Sequence, residues 1–118
     1  MIQSFRDLEV WRKSMELAVC VYTCSEAFPA SERFGLTSQM RRAAVSVPSN
    51  IAEGKAVGGQ AYRRHVKIAL GSTAELQTQI ELAQRLTALG ETTTRELLER
   101  AAEVGRMLAG LLRSLPKT

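Results

Sequence analysis

The sequence predicts an all-α fold, an antiparallel up-down four-helix bundle with left-handed packing, in a single domain over residues 1–118. Three observations predict it. Hydrophobic residues make up 45% of the chain but aromatics only 5%, with three prolines, a balance that favours helices over a sandwich or barrel. Four stretches repeat apolar residues at alternating spacings of three and four, the signature of a helix packed along one stripe. Short segments rich in Gly, Pro and Ser separate them, and short connections make neighbouring helices antiparallel.

The first helix is expected from Phe5 to Ala27. Ser4 with Asp7 three residues on resembles a capping box. Leu8, Trp11, Met15, Ala18 and Tyr22 form its seam, with Val10, Leu17, Val21 and Cys24 beside it. Phe28-Pro29 ends the helix, because proline disfavours helical geometry in the residue before it. A short turn is expected at Ser31–Phe34.

The second helix is expected to take Thr37 or Ser38 as N-cap and to reach Ala56. Pro48 lacks the N–H that would bond to Ala44, so a kink is expected there. Gly54 and Gly58-Gly59 mark the exit and turn. The third helix runs from Gln60 to Leu89, roughly 45 Å at 1.5 Å per residue. Its seam is Tyr62, Val66, Ala69, Thr73, Leu76, Ile80 and Ala83, with Gly71 reading as a close helix approach. The fourth helix is expected to start at Thr93, with Glu96 completing a capping box, and to stop before Pro116. Leu97, Ala101, Val104, Leu108, Leu111 and Leu115 form its seam.

Some apolar residues exceed what one four-helix core uses. Val10, Leu17, Val21, Ile68, Leu82, Leu86 and Leu89 form an extra stripe, which predicts a homo-oligomer interface. Polar residues also interrupt the apolar arcs. A hairpin turning at Gly58-Gly59 sets Arg42 opposite Glu75, predicting a partly buried ion pair extended by Ser46, Asn50, Glu53, Ser72 and Gln79. A structural role for this network outweighs a catalytic one, since buried polar groups are best attested in fixing register.

The net charge is +4, but from Arg33 to Ala74 seven basic residues meet a single acid, Glu53. Lys55, Arg63, Arg64 and Lys67, with Arg41 farther along, are therefore candidates for binding the phosphates of RNA or DNA. The competing reading is a solvated basic face, or one that meets an acidic protein. Enzyme readings find no support. No Glu-x-x-His motif, phosphate loop or nucleophilic triad occurs, and no catalytic residue, metal or cofactor is expected. Cys20 and Cys24 read as reduced thiols one helical turn apart. No apolar run reaches the length of a membrane span, and Asp7 and Glu9 fall where a signal peptide would be apolar, so a cytoplasmic protein is expected.

Three segments carry a family resemblance: FRDLEVWRKSMELAVCVY, FPASERFGLTSQMRRAAVSVPSNIAEG and IALGSTAELQTQIELA. They resemble the bacterial four-helix bundle family first noticed as reading frames inside intervening sequences of large-subunit ribosomal RNA genes. That family is similar to the accessory variability determinant protein of diversity-generating retroelements. The resemblance implies an up-down bundle that assembles into a ring-like homopentamer. It also implies a non-enzymatic role, with nucleic acid and a reverse transcriptase as possible partners. A structural or protein-interaction oligomer with no nucleic-acid role is the alternative.

Overall fold

Why the chain begins with a break rather than a long helix is visible at Leu8. In the computed structural model, which describes residues 3–86 and 88–117, the Ser4–Asp7 capping box forms as expected. It closes only a single 3-10 turn, Phe5–Asp7, because Leu8 is extended at φ −77° and ψ 124°. Helix α1 then spans Glu9–Ser25. Phe5 returns against Trp11 edge-to-face, with ring centroids 5.3 Å apart.

A second 3-10 turn, Ala30–Glu32, leads into α2, Leu36–Val57. The cap of α2 is not Thr37 or Ser38. The Glu32 carboxylate reaches forward and accepts from the Leu36 N–H at 3.1 Å, which starts the helix early and turns Thr37 into the core. The helix continues through the buried Pro48. Gly58 (φ 80°) and Gly59 (φ 59°) then make a turn that residues with a Cβ rarely adopt.

Helix α3 spans Gly59–Arg85 and α4 spans Glu91–Ser114. The expected Thr93–Glu96 capping box is not the start of α4. The helix begins two residues earlier after Gly90, whose carbonyl accepts from the Thr94 hydroxyl at 2.7 Å. Among the described residues no helix is long and apolar enough to cross a membrane.

The helices form a square. α1 packs on α2 and α4, α3 packs on the same two, and the diagonal pairs make no close backbone approach. Contacts between α2 and α3 run in opposite directions along the two helices, since Ser46 meets Ser72 while Asn50 meets His65. Arg41, early in α2, reaches Tyr22, late in α1, and Arg63, early in α3, reaches Leu112, late in α4. The α3 and α4 seams hold along most of their length: Val66, Ala69, Thr73, Leu76, Ile80, Ala83, Leu97, Ala101, Val104 and Leu108 are buried, while Tyr62, Leu111 and Leu115, at the hairpin end, are half-buried.

The α1 seam is different. Its inward face is Val10, Ser14, Leu17, Ala18, Val21 and Ser25, while Met15 and Tyr22 are 41% and 42% exposed. Two serines can face a core here because each hydroxyl donates to a carbonyl of its own helix. Ser14 bonds to Trp11 at 2.8 Å and Ser25 to Tyr22 at 3.2 Å. Val10, Leu17 and Val21 therefore lie in the core of the bundle, not on an outer stripe. Leu89 also leaves that stripe, because α3 stops at Arg85 and the connection folds Leu89 inward. Of the seven, only Ile68, Leu82 and Leu86 are solvent-facing, at 44%, 47% and 55%.

Candidate nucleic-acid interface and its polar support

The α2–α3 hairpin is held together by a close approach and a ladder of polar side chains. The close approach is at Gly54, buried within α2, where a Cβ would lie 2.8 Å from His65 Cβ and 3.2 Å from Tyr62 Cα. Gly71, expected to mark such an approach, is exposed and has nothing within 4 Å of its would-be Cβ. With the backbones this near, short side chains can bridge them. The Asn50 amide donates to the Ser46 carbonyl at 2.8 Å and to the Ser46 hydroxyl at 3.0 Å. That orientation aims Asn50 Oδ1 at His65 Nδ1, 2.8 Å away, so Nδ1 carries the proton and donates. Ser46 and Ser72 share a hydrogen bond of 2.8 Å across the helices. Glu53 Oε2 stands 3.7 Å from His65 Nδ1 and is largely exposed.

The expected Arg42–Glu75 ion pair is absent among the described residues. Both side chains are exposed and line one groove of about 430 Å³ with Gln39, Ser46 and Ser72. The serine pair occupies the line of helix contact, leaving Arg42 and Glu75 on its outer flank, where water solvates each charge. Glu75 instead accepts from the Gln79 amide at 3.4 Å. The other end of that amide, Gln79 Oε1, is buried without a hydrogen-bond partner.

Arg41 and Arg42 exchange the roles expected of them. Arg41 is half-buried, with Nε donating to Ser25 Oγ at 2.8 Å and a second nitrogen to the Tyr22 carbonyl at 3.2 Å. Its guanidinium also lies 4.6 Å from the Tyr22 ring centroid. It thus closes the C-terminal end of α1, where unpaired carbonyls favour a cation. Arg63 does the same for α4, donating to the carbonyls of Leu112 at 3.1 Å and Leu115 at 3.4 Å. Neither arginine stands on the open face where the basic patch was expected.

Lys55, Arg64 and Lys67 remain available at the hairpin end. Lys55 Nζ lies 5.7 Å from the Tyr62 ring centroid, while Arg64 and Lys67 are exposed. Burial of Tyr62 raises its phenol above the ordinary value, so the ring stays neutral beside the ammonium. The fold adds cations that sequence distance concealed. Because Arg63 touches the end of α4, Arg113 and Lys117 gather at this end, and both are exposed.

Cutting every helix at its midpoint makes the asymmetry plain. The half containing residues 3–16, 47–72 and 103–117 holds ten basic and five acidic side chains. The other half holds six basic and seven acidic ones, so the net charges are +5 and −1 along a molecule 43 Å long. Cys20 and Cys24 are half-buried free thiols remote from this end, and Cys24 is raised by burial and by neighbouring Cys20 and Glu96.

These features define a class: a square helical bundle whose α2–α3 hairpin is locked by a polar ladder and whose one end is basic. The chain belongs to the 23S rRNA-intervening sequence protein family, whose sequence profile matches residues 6–110. Among solved structures it is similar to a protein of unknown function from the S23 ribosomal protein family of Bacteroides thetaiotaomicron VPI-5482. That crystal structure superposes with a TM-score of 0.79 at 21% identity, over 89% of this chain and 99% of the other. At that identity the likeness speaks for the fold. No curated protein matches the chain.

Proposed function

We propose that this chain is a non-enzymatic, oligomer-forming bundle that binds the phosphate backbone of RNA or DNA at its basic end. The observation that carries the reading is the charge imbalance between the two halves, with Lys55, Arg64, Lys67, Arg113 and Lys117 at the positive end. Arg63 and Arg41 serve it indirectly, by holding the helix ends. Sequence choice is weak, because phosphate contacts position a protein without reading bases and no free aromatic platform interleaves the cations. A reverse transcriptase complex, which the family resemblance implies, is one setting for such an accessory.

Exposed apolar residues support the oligomer. Met15, Val19, Tyr22 and Val45 face outward between α1 and α2, and Ile68 and Leu82 lie along α3 with Leu86 just past its end. Two different apolar faces favour a head-to-tail contact, which closes into a ring when the rotation between neighbours allows it. A pentamer is the ring the family resemblance implies. All copies then present their basic ends on one rim, so weak single contacts add. The alternative, an oligomer whose rim meets an acidic protein, shares this assembly. Binding of random-sequence RNA and DNA across a salt series separates the two: phosphate binding weakens linearly in log salt, whereas absence of binding at low salt favours the protein partner.

A further inference from the structure

Two thiols on α1 have no part in the polar ladder or the basic end. Cys20 and Cys24 are both free and half-buried, four residues apart and so on one face of the helix. That face borders α4. Lys13, two turns before Cys20 on the same side, pairs with Glu103 of α4 at 3.5 Å. Farther along the same seam, burial raises the Cys24 thiol above its ordinary value, and Cys20 and Glu96 of α4 are close enough to raise it further.

Spacing decides what such a pair can do. Cβ atoms four residues apart on a helix are roughly 5–6 Å apart, whereas a disulfide needs about 3.5–4.5 Å. The two sulfurs therefore cannot bond to each other while α1 stays helical. They can both reach one atom between them: two metal–thiolate bonds of about 2.3 Å in line span roughly 4.6 Å from sulfur to sulfur.

The number of ligands narrows the ion. Among the described residues no third His, Cys, Asp or Glu joins the pair in a metal-holding group. Structural zinc takes four ligands, and His65, the chain's one histidine, is tied to Asn50 in the α2–α3 hairpin. Two thiolates with no imidazole or carboxylate suit a soft ion that accepts two ligands, as Cu(I) does. Charge around the pair is mixed. Glu96 opposes the negative charge that two thiolates bring, and Arg100, one turn farther along α4 in the same groove as Glu96, offsets it. On α1 itself the exposed Glu16 lies one turn before Cys20.

We propose that Cys20 and Cys24 form a two-coordinate site for a soft monovalent metal ion, Cu(I), at the α1–α4 seam. Two S–H bonds give way to two S–Cu bonds, two protons leave to solvent, and copper stays Cu(I) throughout. The site stands apart from the basic end and does not depend on the nucleic-acid reading.

Titration of Cu(I) into the full chain tests it, with the ion supplied as its acetonitrile complex, without oxygen, against the chromogenic chelator bathocuproine disulfonate. One ion per chain is expected, not displaced by equimolar zinc and with sedimentation unchanged. Cys20→Ser and Cys24→Ser are each expected to weaken binding about a hundredfold or more, because one thiolate alone loses the effective concentration of the second. A single-serine variant that binds as the parent does, or a parent that leaves all the copper with the chelator, overturns the site. A larger species on adding copper means bridging between chains and overturns it too. If a serine variant fails to fold, alkylation of the parent decides. One equivalent of Cu(I) shielding both thiols supports the pair, and either thiol reacting as fast as in the metal-free chain overturns it.

Discussion

Arg41 Nε donates to Ser25 Oγ at 2.8 Å, while the adjacent Arg42 points into an open groove. The neighbours should therefore respond differently to truncation. Arg41→Ala removes two hydrogen bonds and a ring contact at the end of α1 and is expected to cost about 1–2 kcal/mol. Arg42→Ala is expected to stay within about 0.5 kcal/mol, as for other surface substitutions. Urea unfolding of both variants checks this, and a larger loss for Arg42 would contradict the assignment.

Glycines give a second paired test. Gly54→Ala drives a Cβ to 2.8 Å from His65 Cβ and 3.2 Å from the Tyr62 backbone, so a loss of about 1–3 kcal/mol is expected from overpacking. Gly71→Ala adds a methyl group to an open helix position and is expected to gain up to about 1 kcal/mol. Thermal melts of the two proteins should shift in opposite directions. Equal shifts would remove the claim that the α2–α3 close approach is at Gly54.

The Asn50–His65 hydrogen bond of 2.8 Å joins the two helices, and the two side chains should be energetically coupled. Asn50→Ala strands the His65 N–H and removes the amide's two bonds to Ser46, at an expected cost of about 1–3 kcal/mol. A double-mutant cycle with His65→Ala is expected to return a coupling of at least about 0.5 kcal/mol. Strict additivity would mean that the ladder contributes no more than its separate parts.

Helix positions were legible in the sequence because spacing reports directly on which face is buried. The α3 and α4 seams follow from it, as does the Gly58-Gly59 turn. The α1 face was not legible. Two apolar stripes lay side by side, and the one that turned inward includes Ser14 and Ser25, whose polarity is cancelled by bonds to their own backbone. Hairpin register put Ser46, Asn50 and Ser72 in one network, but it did not bring His65 into it, and it could not tell which of two adjacent arginines faces inward. The capping roles of Arg41 and Arg63 depend on where the ends of α1 and α4 fall, and those ends lie 16 to 52 residues away along the chain. Arg113 and Lys117 were missed for the same reason. That they share an end of the bundle with Lys55 and Arg64 is a property of the closed square.

The central claim is that the basic end binds nucleic acid through phosphates. Fluorescence anisotropy of a labelled random-sequence RNA, titrated over a salt series, tests it most directly. The comparison is between the parent chain and a variant carrying Arg64→Glu, Lys67→Glu and Arg113→Glu. Arg63 stays intact because it caps α4. The parent is expected to bind with a log-affinity that falls linearly in log salt. The variant, with helix content and sedimentation unchanged, is expected to lose at least about tenfold in affinity and about 2 in the salt slope, for three lost single-strand phosphate contacts. A parent that does not bind at low salt, or a variant that binds as tightly as the parent, would contradict the account.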